Sequence, residues 1–217
     1  MSRALRPRPA AGREDPHLAS LRRALDDAEQ LAETAQRWGY ALADVLAGGG
    51  RLLAAGNGGS AAQAQHLTAE LVGRYVDERQ PLSAICLSAE TSTLTALAND
   101  YGADELFARQ VRAHGRPGDV CVLFSTSGTS RNVLAAAVAA KECGLLSWAL
   151  TGPGPNPLAA MCSEALCVPG PGTATVQELH LVALHMICEH VDARIAAGSA
   201  QAAGRTASGP TAMRVER

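Results

Sequence analysis

Three stretches of the 217-residue chain carry side chains whose types and spacing could do chemistry. The first, "AAGNGGSAAQAQHLTAELVGRY" (54–75), sets a glycine-rich turn after an apolar run and before a segment of helical spacing. Glycines at such a turn let the backbone bend tightly and bring a ligand against N–H groups at a helix N-terminus. His66 and Glu70 follow as an i, i+4 pair on one helix face, a spacing that can chelate a metal, set an acid beside a base, or form a solvated ion pair. The second stretch, "STSGTS" (125–130), follows another apolar run. Its hydroxyls, loop N–H groups and the following helix dipole suit a phosphate monoester, or serve as ordinary N-capping. The third, "TVQELHLVALHMICEHVDARI" (175–195), places Gln177 and His185 on neighbouring parts of one helix face, while His180 and His190 point elsewhere. Either histidine alone also fits a core or rim position.

The glycine turn satisfies G-x-G-x-x-A through Gly56, Gly58 and Ala61. A dinucleotide fold wants an acidic residue about 20 positions further on, at the end of the second strand. Asp77 and Glu78 precede "SAICLS" and Glu90 follows it, so the match is weak. A P-loop is excluded because G-K-[ST] is missing. What remains is a phosphate cradle, or a tight turn that holds nothing.

Five short apolar runs must position these loops: "RLLAAG" (51–56), "SAICLS" (83–88), "DVCVLFS" (119–125), "LLSWALT" (145–151) and "EALCVP" (164–169). Most are apolar on both faces, as buried parallel strands are. Segments 59–74, 91–113, 130–142 and 173–197 have helical length and spacing, and apolar residues from Leu18 to Leu46 recur three or four apart until Gly48 to Gly50 stop them. The reading is a doubly wound α/β sheet with helices on both faces, preceded by a long N-terminal helix, with ligands at the carboxyl ends of the strands. One domain spans 16–197; 1–15 and 198–217 read as disordered tails.

A net charge of −2 argues against a nucleic-acid footprint. The six cysteines show no C-x-x-C spacing and lie in or beside apolar runs, which suggests buried reduced thiols and a cytoplasmic protein. No apolar run approaches the roughly 18 residues of a membrane-spanning helix, and the first twenty residues lack the apolar centre of a signal peptide.

"GNGGSAAQAQHLTAELVGRY", "LANDYG" (97–102), "STSGTS" and "VQELHLVALH" (176–185) occur in the order found in phosphoheptose isomerases, which this chain resembles from about residue 20 to 195. That family converts sedoheptulose 7-phosphate to D-glycero-D-manno-heptose 7-phosphate within the sugar-isomerase (SIS) superfamily. The resemblance implies a three-layer, flavodoxin-like fold with a five-stranded parallel sheet. It implies substrate contacts at Asn57, Gly58, Gly59, Ser60, Glu70, Asn99, Asp100, Ser125, Thr126, Ser127, Ser130 and Gln177. It further implies zinc on His66, Glu70, Gln177 and His185, with Glu70 and His185 as the acid/base pair, in a homotetramer. One departure is "TATV" (173–176), where some members carry an acidic residue shortly before the glutamine. Two other roles occur among relatives: a noncatalytic tetrameric adaptor of a replication initiator protein, and a sugar-phosphate-sensing regulatory domain. The four retained metal-site residues favour the enzyme over the adaptor, and the chain offers no room for an attached DNA-binding module.

Overall fold

The computed structural model describes residues 14–207. The five apolar runs form β1 (Leu52–Gly56), β2 (Ala84–Cys86), β3 (Val120–Ser125), β4 (Leu146–Thr151) and β5 (Glu164–Cys167), all parallel and ordered β2-β1-β3-β4-β5. Successive side chains alternate across the sheet and feed two cores. Leu52, Ala54, Val120, Val122, Phe124, Trp148 and Leu150 face one core, closed by α1 (Pro16–Asp26), α2 (Glu29–Ala47), α3 (Gly59–Val72) and α8 (Thr173–Ala207). Leu53, Ala55, Cys121, Leu123 and Ala149 face the other, closed by α5 (Ala108–His114), α6 (Arg131–Glu142) and Leu158 of α7 (Pro157–Met161). Trp38 of α2 stacks on Trp148 at 4.9 Å between centroids and donates its Nε1–H to Glu164 at 3.0 Å, which ties the N-terminal helices to the sheet edge.

The expected long N-terminal helix is two helices, and the long helix lies at the other end of the chain as α8. The break falls at Asp27 and Ala28. Adjacent Asp26 and Asp27 have short polar side chains that compete for the backbone, and they put negative charge at a helix C-terminus, where the dipole disfavours it. The expected helix over 91–113 is likewise divided. Gly102, at φ 83°, ends α4 (Thr91–Tyr101), and a 3-10 turn (Ala103–Glu105) precedes α5. The tails expected at 1–13 and 208–217 lie outside the described residues. Residues 198–207, assigned to the second tail, continue α8. Alanine is the strongest helix former, and this segment is rich in it.

All six cysteines are free thiols. Only Cys121 and Cys188 are buried fillers of the core; Cys86, Cys143 and Cys162 are half-buried and Cys167 is exposed, so the expectation of six buried thiols holds for two, and burial pushes Cys162 up to about 11 and Cys188 up to about 12. No helix among the described residues is long and apolar enough to cross a membrane.

The strand order decides where a ligand can sit. β1 and β3 are hydrogen-bonded neighbours, yet β1 feeds α3 on one face while β3 feeds α6 on the other. The loops leaving their carboxyl ends therefore part, and the crevice between them is the topological switch point of an open α/β sheet. Both loops are the ones singled out by their chemistry, "GNGGS" and "STSGTS".

Candidate active site

Asn57, Gly58, Gly59 and Ser60 from the first loop, and Ser125, Thr126 and Ser130 from the second, line one cavity of about 310 Å³ together with Phe124, Thr173 and Gln177. Gly58 adopts φ 55°, a left-handed conformation that favours glycine, and starts α3 with no side-chain cap. Ser130 starts α6, also without capping through its side chain. By contrast, Asp15, Glu90 and Asn156 cap α1, α4 and α7. The two helices that open onto the cavity thus aim first-turn N–H groups and positive dipole ends at it, the arrangement that receives an anion.

The "STSGTS" loop is held from within and from below. Ser125, almost fully buried, accepts from Gly128 N–H at 3.1 Å and lies 3.3 Å from the Ser130 hydroxyl. Gly128 sits at φ 65°, and the Asn156 side chain fills the space its missing Cβ would need. Asn156 in turn accepts from Ala159 N–H at 3.0 Å and donates to Thr151 Oγ1 at 2.9 Å. Ser127 is exposed and accepts from the Thr129 hydroxyl at 2.9 Å, outside the cavity lining. Across the mouth, Asn57 and Asn132 exchange amide hydrogen bonds of 2.9 and 2.8 Å.

A second cluster lies further along α3 and α8. His66 Nε2 is 2.9 Å from Glu70 Oε1 and 3.2 Å from His185 Nε2, with the two imidazoles edge to face at 5.1 Å. Tyr75 lies against His185 at 5.7 Å between ring centroids. His66 is the hub: Glu70 pairs with it rather than with His185, and among the described residues no three such side chains enclose an ion-sized gap. Gln177 belongs to the other cluster, its amide packed where a Cβ on Gly59 would be. Because Gly59 meets Gln177 and His66 meets His185, α3 and α8 run side by side in one direction. Seven and eight residues of helix separate the ends of each pair, about 10–12 Å of rise.

The chain matches the SIS domain family over residues 17–152. It is 64% identical over 194 residues to the phosphoheptose isomerase of Streptomyces coelicolor, covering 88% of this chain and 84% of that one. The chain belongs to the phosphoheptose isomerase family. The phosphoheptose isomerase of Rhodospirillum rubrum is 50% identical over 167 residues, covering 77% of this chain and 87% of its own. The solved phosphoheptose isomerase from Neisseria gonorrhoeae superposes with a TM-score of 0.76 at 42% identity, over 82% of this chain and 95% of that one. The five-stranded parallel α/β fold expected of a phosphoheptose isomerase is the fold observed.

Not every residue tied to the family reaches the cavity within one chain. Asn99 and Asp100 stand exposed on α4, where Asn99 donates to Asp100 at 2.8 Å, and neither lines the cavity. Thr173, from the "TATV" segment before Gln177, also lines the cavity. Asn132, Asn156 and Tyr75 escaped the sequence reading, since each acts through a contact distant in sequence.

His180 points away from both clusters, as its helical phase requires, into the core beside Phe124. It is fully buried, with neither ring nitrogen hydrogen-bonded among the described residues, and burial lowers its pKa to about 4. Above the ordinary value near 6.5 neither the folded nor the unfolded chain protonates this ring. Between 6.5 and about 4 the unfolded chain binds a proton that the folded one refuses, so stability falls as the pH falls, by up to roughly 3 kcal/mol. Thermal melts at pH 7.5 and 5 should show a smaller loss for His180→Leu than for wild type. Equal losses would contradict the assignment.

Proposed function

We propose that the protein is an aldose–ketose isomerase that interconverts sedoheptulose 7-phosphate and D-glycero-D-manno-heptose 7-phosphate through an enediol. The observation that carries this reading is the pairing, on two parallel helices, of an anion-receptive pocket with the His66–Glu70–His185 row further along. Their separation suits an extended sugar whose phosphate and reacting carbons lie at opposite ends. The isomerase relatives support the same reaction; none of the three bears an adaptor's name.

In this mechanism Ser125, Thr126 and Ser130 donate to the phosphate oxygens, and the N-termini of α3 and α6 stabilise its charge. Gly58, Gly59 and Ser60 bring backbone close to it, while Asn57 and Gln177 hold the sugar hydroxyls. Glu70 takes a proton from one of C1 and C2, exchanges it with solvent while the enediol persists and delivers a proton to the other, and His185 serves the neighbouring oxygen as the complementary acid. Isomerisation conserves atoms and electrons: one C–H bond breaks, one forms, and a proton moves between the two oxygens.

Zinc, one per subunit, suits the donor types of His66, Glu70, Gln177 and His185, the first, second and fourth of which are gathered in a contact row rather than around an ion. His66 Nε2 and His185 Nε2 face each other at 3.2 Å, so both imidazoles would be at hand to hold one ion. Glu70 would supply an oxygen beside them, and Gln177, whose amide packs on Gly59 in this structure, is the fourth residue that would hold the ion. When bound, the ion supplies Lewis-acid stabilisation of the developing oxyanion. His185 cannot ligate and donate a proton at once, so its acid role belongs to a state in which that nitrogen is free. Incubation of purified, zinc-supplemented protein with sedoheptulose 7-phosphate, followed by chromatographic separation of the two heptose phosphates, should show conversion to a mixture. Elemental analysis of chelator-free protein should find about one zinc per chain. No conversion would overturn the reaction, and full activity without any transition metal would overturn the zinc.

The assembly is a cytoplasmic homotetramer with active sites between subunits. Most of the apolar stripe of α2 is spent within the chain, on Leu31, Ala35, Trp38, Leu42 and Leu46. Leu18, Leu25 and Tyr40 remain exposed, and α4 buries none of its residues fully while displaying Tyr101. A neighbouring copy seated on these faces would also give Asn99 and Asp100 a site to serve. Light scattering at micromolar concentration should report four times the chain mass; a monomer would contradict the assembly.

A further inference from the structure

The segment 73–83 between α3 and β2 carries one almost buried arginine. The Arg79 side chain is 7% exposed. Its Nη2 donates to the main-chain carbonyl of Glu70 at 2.7 Å and its Nη1 to that of Leu71 at 2.9 Å, while its Nε donates to Asp192 Oδ1 at 2.6 Å. The last carbonyls of a helix have no partners within it, and a cation at that end is favoured by the dipole. Arg79 therefore finishes α3 at the residue whose side chain contacts His66. Asp192 lies seven residues beyond His185, about two turns along the same side of α8. One guanidinium thus joins the backbone of Glu70 to the helix that presents His185.

We infer that Arg79 and Asp192 are positioning residues of the isomerase, a clamp that sets the distance and angle between Glu70 and His185. The inference rests on the isomerase reading above. The carbonyls that Arg79 grips, those of Glu70 and Leu71, lie about 16–18 Å along α3 from Gly59 and the cavity that receives the phosphate, so the clamp acts on proton transfer and leaves substrate affinity alone. The planar fork is needed for this, because it reaches two carbonyls and a carboxylate at fixed angles, which a lysine's point charge does not reproduce. Among the described residues Asp192 has only this partner: its other oxygen is buried with none. Removing Arg79 alone would leave an unpaired buried carboxylate and lower stability for that reason.

The test must separate stability from placement. Arg79→Met/Asp192→Leu in the full-length chain removes both charges, and its melting temperature should recover towards wild type relative to Arg79→Met. Its kcat should nevertheless stay at least about tenfold down with KM within about twofold of wild type, the pattern of an interaction that matters in the transition state. Arg79→Lys should restore only part of the loss. A folded double variant with wild-type kcat, or a loss expressed in KM, overturns the clamp. If the double variant does not fold, Asp192→Asn carries the test: it keeps size and removes the ion pair, and wild-type kcat in it also overturns the inference. Inactive zinc-supplemented wild type on sedoheptulose 7-phosphate instead overturns the underlying reaction, and the role assigned to the clamp with it.

Discussion

Glu70→Gln should lower turnover at least about 100-fold, the usual cost of losing a positioned general acid/base. The substitution keeps the shape and the hydrogen-bonding capacity towards His66, which Glu70 meets at 2.9 Å, but it removes the basicity needed to take a proton from carbon. Glu70 is partly exposed on α3, and its carbonyl remains held by Arg79, so the helix has no reason to rearrange. His185→Gln should cost a comparable factor. Circular dichroism would establish that each variant is folded before its kinetics are read. A folded Glu70→Gln enzyme with near-wild-type turnover would remove the carboxylate from the mechanism.

Gly128→Ala should act on binding instead. At φ 65° an alanine pays about 1–2 kcal/mol for the left-handed conformation. Its methyl would also lie on the Asn156 side chain, including a Cβ 2.8 Å away that cannot swing aside as a flexible tip would. Relief requires moving Asn156, which breaks its bonds to Ala159 and Thr151, or moving the loop that carries Ser125, Thr126 and Ser130. Hydroxyls that grip a phosphate hold ground state and transition state alike, so their displacement appears in KM. A rise of about tenfold or more is expected, equivalent to about 1.4 kcal/mol. Gly128→Ala/Asn156→Gly should recover part of it. An unchanged KM in folded Gly128→Ala would detach this loop from substrate binding.

The strands were readable because parallel strands buried on both faces are short apolar runs with few imitators. "VCVLF" and "WALT" admit few other roles beside Gly, Pro and Ser boundaries. The helix breaks were harder to see: Asp26–Asp27 and Gly102 each interrupt an apolar period that continues on the far side. Helix α7 is five residues long, too short for periodicity, and only Asn156 as cap with Pro157 behind it marks its start. In the site, the same limit separates local from distant contacts. His66 and Glu70 declare themselves by being four apart. The meeting of His66 with His185 across 119 positions, or of Arg79 with Asp192 across 113, depends on α3 and α8 running side by side. The placement of the Gln177 amide on Gly59 is a side-chain choice that spacing along α8 does not specify. The capping alternative for "STSGTS" was equally open in sequence. It is the meeting of the uncapped starts of α3 and α6 at one cavity, with Ser125 bonded inside the loop, that favours an anion site.

Proton transfer through an enediol has a direct signature in heavy water. Zinc-supplemented wild-type protein incubated with sedoheptulose 7-phosphate in D2O should yield D-glycero-D-manno-heptose 7-phosphate with deuterium bound to C2, detected as loss of the H2 signal by proton NMR. Glu70→Gln should form that species at least about 100-fold more slowly. Absence of the aldose product, or product formed at full rate with protium alone at C2, would contradict the account.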